Sequence, residues 1–284
     1  MQRRVAFLGL GVMGYPMAGW LSKRGYAVVV YNRTQTVSQR WLRDYAGEAA
    51  ATVAEAVAGA EIVFTCLGND DDVRAVVAGE TGALAAMSSG SVLVDHTTTS
   101  ALVARELAEQ AAALGLGFID APVSGGQQGA ENGQLTVMCG GQQDQFDAVK
   151  DVIESYAKSL QLMGDVGSGQ LCKMVNQICI AGVVQGLAEG LNFAKRAGLD
   201  AHQVVEVISK GAAQSWQMEN RYQTMLANDY EHGFAVQWMR KDLAFALDEA
   251  KANGSDLPLT QLVDGFYQQV QEMGGNRWDT SSLL

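Results

Sequence analysis

Val5-Ala6-Phe7-Leu8-Gly9-Leu10-Gly11-Val12-Met13-Gly14 decides how the first half of the chain is read. Four apolar residues of strand character run directly into Gly-x-Gly-x-x-Gly, and Met13–Lys23 then carries a helical pattern. A lone GxGxxG is a weak signal, but a strand, these glycines and a helix in that order form a phosphate-binding turn. Gly9 makes the tight turn, Gly11 lets backbone approach a pyrophosphate, and Gly14 allows the helix to pack closely on the strand. The helix N-terminus offers N–H groups and a partial positive charge to the phosphates. Gly9, Leu10, Gly11, Val12, Met13 and Gly14 are therefore the first candidate cofactor residues.

Outward from that turn, short β-rich runs alternate with helical stretches. Ala27–Tyr31, Ile62–Cys66, Val92–Val94, Gly117–Ile119 and Leu135–Cys139 read as strands, and Thr36–Tyr45, Asp71–Val77 and Leu102–Ala113 as helices. This alternation predicts an α/β fold, a Rossmann-type doubly wound parallel sheet covered on both faces. After Leu162 the strand signals stop, and one long helical pattern runs from Gly169 to about Ala197. We expect a dinucleotide-binding domain over 1–165 and an all-α domain for substrate and oligomerisation over 166–284, joined by that helix. Gly182, Gly186, Gly190, Ala194 and Gly198 recur every four residues along it. Mid-helix glycine costs roughly 1 kcal/mol against Ala, so the stripe predicts close approach of another helix, from this chain or from a second subunit.

Composition narrows the function. Thirty-two glycines among 284 residues exceed the roughly 7% that is usual, and no collagen-type period accompanies them. With only three prolines they belong where backbone needs positive φ or must approach a ligand, not in a linker. A net charge of −11 argues against nucleic acid and anionic membrane surfaces as partners. Cys66, Cys139, Cys172 and Cys179 show no CxxC pairing and no metal-ligand spacing, so we expect four small buried side chains, no metal and a reducing cytoplasmic location. Gln2-Arg3-Arg4 could mimic a signal peptide, but Gly9, Gly11 and Gly14 interrupt the stretch that follows. The other long apolar run, around Ile178–Val184, is too short to span a bilayer.

The cofactor can be read further. About 20 residues past the turn, a carboxylate would hold a ribose 2′-OH. Here stands Tyr31-Asn32-Arg33-Thr34. Arg33 can grip a 2′-phosphate through its fork of donors, with Asn32 and Thr34 adding hydrogen bonds, so NADP is preferred and NAD remains possible. Leu67-Gly68-Asn69 and Asp95-His96-Thr97 follow two further strands, at sheet ends where α/β folds bind ligands. His96 has no evident orienting partner in sequence and reads as structural.

The densest glycine cluster, Ser124-Gly125-Gly126 with Gly129 and Gly133, forms an anion-binding concavity suited to a small carboxylate. Ser124 lacks the strand–GxSxG–helix elbow of a nucleophile. On the long helix Lys173 and Asn176 share a face amid apolar residues. Such a lysine either snorkels to solvent or acts as an acid/base in a cleft.

The chain resembles the β-hydroxyacid dehydrogenase family, of the 3-hydroxyisobutyrate dehydrogenase type, over essentially its whole length. The resemblance rests on Gly9–Ala18, on Asp120-Ala121-Pro122-Val123-Ser124-Gly125-Gly126 with Gly129, Ala130 and Gly133, on Gly169 with Lys173 and Asn176, and on Lys241-Asp242-Leu243. It implies that Ser124, Gly125 and Gly126 bind the substrate carboxylate. It makes Lys173 the general acid/base, Asn176 the residue that orients substrate, and Thr97 a neighbour of the nicotinamide. Lys241 is implied at both substrate and cofactor, with Asp242 beside it. It also implies a homodimer or homotetramer. Ala101, Trp20 and Trp216 depart from the common pattern. Trp216 is either a wall of the substrate pocket or an ordinary core aromatic. The alternatives are imine reduction on a related fold, or a nucleotide-binding protein without catalysis; Lys173 argues against both.

Overall fold

The computed structural model describes residues 2–284 and divides into two compact units, the first ending at Lys173 and the second running Met174–Leu284. The division falls inside the long helix, eight residues beyond the expected boundary.

The first unit runs β1 (Arg4–Leu8), α1 (Gly14–Lys23), β2 (Ala27–Tyr31), α2 (Gln35–Asp44), β3 (Glu48–Ala49), α3 (Val53–Val57), β4 (Ile62–Thr65), α4 (Asp70–Val77), α5 (Ala83–Ala86), β5 (Val92–Asp95), α6 (Ala101–Ala113) and β6 (Gly117–Asp120). β1 to β6 form a parallel sheet of order β3-β2-β1-β4-β5-β6, the doubly wound arrangement expected. Its strands other than the edge strand β3 are buried on both faces, and alternate residues feed different cores. Val5 and Phe7 join Val30, Trp41, Phe64 and Tyr156 on one face, while Ala6 and Leu8 join Val29, Val63, Leu93 and Phe118 on the other.

The expected strand at Leu135–Cys139 forms, but outside that sheet. After β7 (Val123–Ser124) and α7 (Gly126–Glu131), it becomes β8 (Leu135–Cys139), the centre of a second sheet. β7 pairs with it antiparallel; after α8 (Gln143–Ile153), β9 (Ala157–Leu162) pairs with it parallel. β9 and the two-residue strands β3 and β7 carry too little apolar alternation to be read from sequence.

The long helix, α9 (Ser168–Arg196), leaves this unit from a buried carboxylate. Asp120, at the end of β6, accepts the N–H groups of Gly167 (2.7 Å) and Gln170 (2.9 Å). Burial pushes its carboxyl up to about 6, against the lowering effect of those two hydrogen bonds. Gly140 and Gly169 make the junction possible: a Cβ on Gly169 would stand 2.4 Å from the Met138 carbonyl oxygen, and one on Gly140 would stand 2.5 Å from Asp120 Oδ1.

The second unit continues with α10 (Ala201–Ile208), α11 (Trp216–Ala227), α12 (Val236–Asn253) and α13 (Pro258–Glu272). Ala181 of α9 shares a core with Val236, Met239 and Leu243 of α12 and Val263 and Tyr267 of α13. Leu187, Ala188 and Leu191 share another with Met218 and Met225. Asp279 anchors the C-terminal segment, accepting the N–H groups of Phe234 and Ser281 and pairing with Arg221 at 3.3 Å.

Three expectations need correction. α9 is 29 residues long and, by length and composition, apolar enough to cross a membrane, which the short run at 178–184 concealed; two of its faces here cover helical cores. Within this chain the glycine stripe meets another helix only at Gly182, where a Cβ would stand 3.1 Å from the Leu259 side chain of α13; nothing stands within 4 Å of a Cβ on Gly186 or Gly190. Of the four cysteines only Cys139 is buried, and Cys179 is exposed because it falls on the outer face of α9.

His96 settles as a core residue. A carbonyl only accepts, so its Nδ1–H donates to the Ala121 carbonyl at 2.7 Å, and its Nε2 accepts the Tyr156 hydroxyl at 2.7 Å. Its ring stacks on Phe64, and burial lowers its pKa to about 4 from 6.5. The unfolded chain therefore takes up a proton that the folded one refuses, so the contribution of this residue to stability is lost as pH falls from 6.5 to about 4. The stability difference between the wild type and His96→Gln should shrink over that interval by on the order of 2 kcal/mol. Urea denaturation of both proteins across that interval checks it, and a constant difference would contradict the assignment.

Candidate active site

In the first unit the candidate cofactor residues gather at the carboxyl ends of β1, β2, β4 and β5. The three glycines of the turn have distinct surroundings. Gly9 adopts φ +99°, and a Cβ there would lie 2.3 Å from the Cys66 carbonyl oxygen. A Cβ on Gly14 would lie 2.0 Å from the Gly9 carbonyl oxygen, so that glycine is required for the helix to seat on the turn. Gly11 has nothing within 4 Å of a Cβ position, and Val12 is exposed beside it. Open space over Gly11, facing the N-terminal N–H groups of α1, fits a pyrophosphate.

Asn32 is used differently from the expected role at a phosphate. Its Oδ1 accepts the Leu10 N–H at 3.0 Å, and its Nδ2 donates to the Thr34 carbonyl at 3.1 Å. The amide thus holds the turn after β1 against the loop after β2, leaving Arg33 and Thr34 exposed. Leu67 donates its N–H to Thr97 Oγ1 at 2.9 Å, joining the loops after β4 and β5. Asp95 accepts the Thr97 N–H and the Thr65 hydroxyl. Asn69 caps α4 by accepting the Asp72 N–H at 2.9 Å, which accounts for this residue structurally. Gly68 lies half-buried between these groups.

The carboxylate-loop candidates stand on the second sheet. Ser124 is half-buried on β7, and Gly125 (φ +126°) and Gly126 (φ +60°) are exposed in conformations that side chains disfavour. Trp20 holds this loop in place: its Nε1–H donates to the Ala130 carbonyl at 3.1 Å, and its ring fills the space where a Cβ on Gly133 would fall. Only its departure from the common pattern marked it in the sequence. Lys173, on the second turn of α9, is 7% exposed, so the snorkelling alternative does not describe it.

In the second unit Asn176 and Lys241 belong to one hydrogen-bonded group. Asn176 Nδ2 donates to Gln177 Oε1 (2.8 Å), and Gln177 Nε2 donates to Asp242 Oδ2 (2.7 Å). The other carboxylate oxygen of Asp242 pairs with Lys241 Nζ at 3.3 Å. Gln177 and Asp242 are buried, whereas the Lys241 ammonium also lies 5.3 Å from the Phe245 ring centre. Gln177 escaped the sequence reading because a glutamine beside a motif asparagine carries no signal of its own. Trp216 begins α11, half exposed, with the Arg221 guanidinium 4.9 Å over its ring; it is not a core aromatic. No group of three or more His, Cys, Asp or Glu among the described residues could hold a metal.

Comparison with known proteins divides the chain between residues 164 and 167, ahead of α9. Residues 4–164 match the NAD-binding domain of 6-phosphogluconate dehydrogenase, and residues 167–284 the NAD-binding region of NADP-dependent 3-hydroxyisobutyrate dehydrogenase. An uncharacterized oxidoreductase of Shewanella frigidimarina is 64% identical over 281 residues, covering 99% of this chain and 97% of that one. The crystal structure of 3-hydroxyisobutyrate dehydrogenase from Salmonella typhimurium is 30% identical, with TM-score 0.89 and 99% of each chain covered. The Mycobacterium tuberculosis 3-hydroxyisobutyrate dehydrogenase, solved with L-serine, is 30% identical, with TM-score 0.88 and 100% and 98% covered. The phosphate-binding turn, the glycine loop and the lysine helix thus occur in a chain similar along its whole length to these enzymes, and the protein belongs to the β-hydroxyacid dehydrogenase family of NAD(P)-binding oxidoreductases.

Proposed function

We propose that the protein oxidises a small β-hydroxy acid, or reduces its semialdehyde, with NADP(H) in preference to NAD(H), and that Lys173 is the general acid/base. The carrying observation is Lys173 itself, a lysine almost withdrawn from water one turn beyond a helix start that is tied to the cofactor end of the sheet. The nicotinamide ring, when bound, supplies or accepts the hydride. Lys173 takes the hydroxyl proton in oxidation and returns it in reduction. The Ser124 hydroxyl and the N–H groups of Gly125 and Gly126 hold the substrate carboxylate. Asn176, its Nδ2 tied to Gln177, orients the substrate oxygen. Lys241 adds a second cation, fixed by Asp242, and Trp216 limits the size of the substrate.

For the cofactor, Arg33 is exposed at the end of β2 where a ribose-binding carboxylate is absent. With Asn32 committed to backbone, the 2′-phosphate falls to Arg33 and Thr34. A β-hydroxy acid substrate is supported by the M. tuberculosis relative solved with L-serine. We place the protein in the cytoplasm and assign it a homodimer or homotetramer, whose second copy covers the outer face of α9, where Val175, Val183 and Phe193 are exposed beside Gly186 and Gly190.

Three measurements test this. A panel of 3-hydroxyisobutyrate, L-serine, 3-hydroxypropionate, glyoxylate, succinic semialdehyde and tartronate semialdehyde, with both cofactors, should yield turnover that Lys173→Ala lowers in kcat by roughly 10²–10⁴-fold. Cofactor affinity should stay nearly unchanged, and retained turnover in that variant would refute the lysine assignment. Arg33→Ala should raise KM for NADP by roughly tenfold or more, one charge-assisted contact, and leave KM for NAD alone; an equal effect on both removes the 2′-phosphate role. Light scattering should give a multiple of the 30.2 kDa chain mass, lowered by Gly186→Leu, whereas a monomer overturns the assembly.

A further inference from the structure

The structure assigns Gln170 as a positioning residue that sets the distance between the proton-transferring lysine and the loop beside the cofactor. Gln170 is fully buried on the first turn of α9, three residues before Lys173, so the two share a helix face. Its Nε2–H donates to the Thr97 carbonyl at 2.8 Å, and its Oε1 accepts the Thr99 N–H at 3.1 Å. Both ends of one amide are thus spent on the backbone that follows β5. Its own N–H donates to Asp120 Oδ2 at 2.9 Å, at the end of β6. Thr97 is held in turn, its N–H by Asp95 and its Oγ1 by the Leu67 N–H. One side chain therefore ties the Thr97–Thr99 loop to the first turn of α9, directly before the turn that carries Lys173.

A side-chain amide of this length suits the task. The carbonyl of Thr97 only accepts and the N–H of Thr99 only donates, so the bridging group needs a donor and an acceptor at one end of its chain. A carboxylate would lack the donor and add a second negative charge beside Asp120; an aliphatic residue would leave both backbone groups unpaired in a dry site. Hydride and proton transfer require the reacting atoms to be held within a fraction of an ångström, and a misplacement of about 1 Å costs on the order of 10²-fold in rate. Gln170 touches neither substrate nor cofactor in this account, and its effect passes through Lys173 and Thr97. The inference rests on the reading of Lys173 as acid/base.

The test uses Gln170→Met, of similar length and without either hydrogen bond, and Gln170→Glu, which keeps the acceptor for Thr99. Single-turnover stopped-flow with 3-hydroxyisobutyrate and NADP⁺ follows the nicotinamide absorbance, and NADPH binding is measured separately by fluorescence. Gln170→Met should bind NADPH within about threefold of the wild type and keep its single-turnover amplitude, while the rate constant falls roughly 10–100-fold. Gln170→Glu should show the same split, and it carries the test if the first variant does not fold. A merely structural role would lower the amplitude, through loss of folded enzyme, and leave the rate constant unchanged; that result, or a rate within twofold of wild type in both variants, overturns the proposal. If Lys173→Ala retains turnover the parent reading has failed; if it is inactive while the Gln170 variants match the wild type, only this inference has.

Discussion

The carboxylate of Asp120 against the first turn of α9 is the constraint from which much of this structure follows. A helix N-terminus presents unpaired N–H groups and a partial positive charge, and a buried carboxylate needs both. Asp120 meets two of those N–H groups at the end of β6, and the helix starts where the sheet stops. The approach is close enough that Gly140 and Gly169 admit no side chain. Burial nevertheless holds the carboxyl near 6, so the helix start offsets only part of the desolvation cost. Lys173 lies one turn on, in the same helix.

Within each unit, uncharged amides do much of the connecting. Asn32 joins the loops after β1 and β2, Gln170 joins the loop after β5 to α9, and Gln177 joins Asn176 to Asp242. An amide carries donor and acceptor together and no charge, so it can bridge two polar groups in a water-poor region without the penalty of an ion. The cations among these groups are Arg33, Lys173 and Lys241, the residues proposed to meet anions or move a proton. A chain of net charge −11 can therefore bind anionic ligands through a few local groups.

Much of the site was legible because its signals are local. Gly9, Gly11 and Gly14 sit at the spacing of a phosphate turn; a side chain would clash with backbone at Gly9 and Gly14, and Gly11 has open space beside it. Gly125 and Gly126 take positive φ as their cluster suggested. The connecting residues were not legible. Gln170 is distinguished only by two backbone groups on a loop some 70 residues away, and nothing in its neighbourhood along the chain reports them. Trp20 and His96 are similar cases, each defined by a carbonyl far off in sequence.

The same distinction sorts the glycines. For Gly14 the sequence alone was sufficient, since the Gly9 carbonyl five residues back requires it, whereas Gly9, with its positive φ, is also confined by the distant Cys66 carbonyl. For Gly182, Gly186 and Gly190 the sequence could establish only a stripe of small residues. Tertiary structure showed that no helix of this chain lies over the last two. The alternation of strands and helices and the existence of α9 follow from short-range periodicity and steric rules. The second sheet around β8, the exposure of Cys179 and the bridges of Asn32, Gln170 and Gln177 do not. Those depend on which distant groups share a small volume, and only the folded chain brings them together.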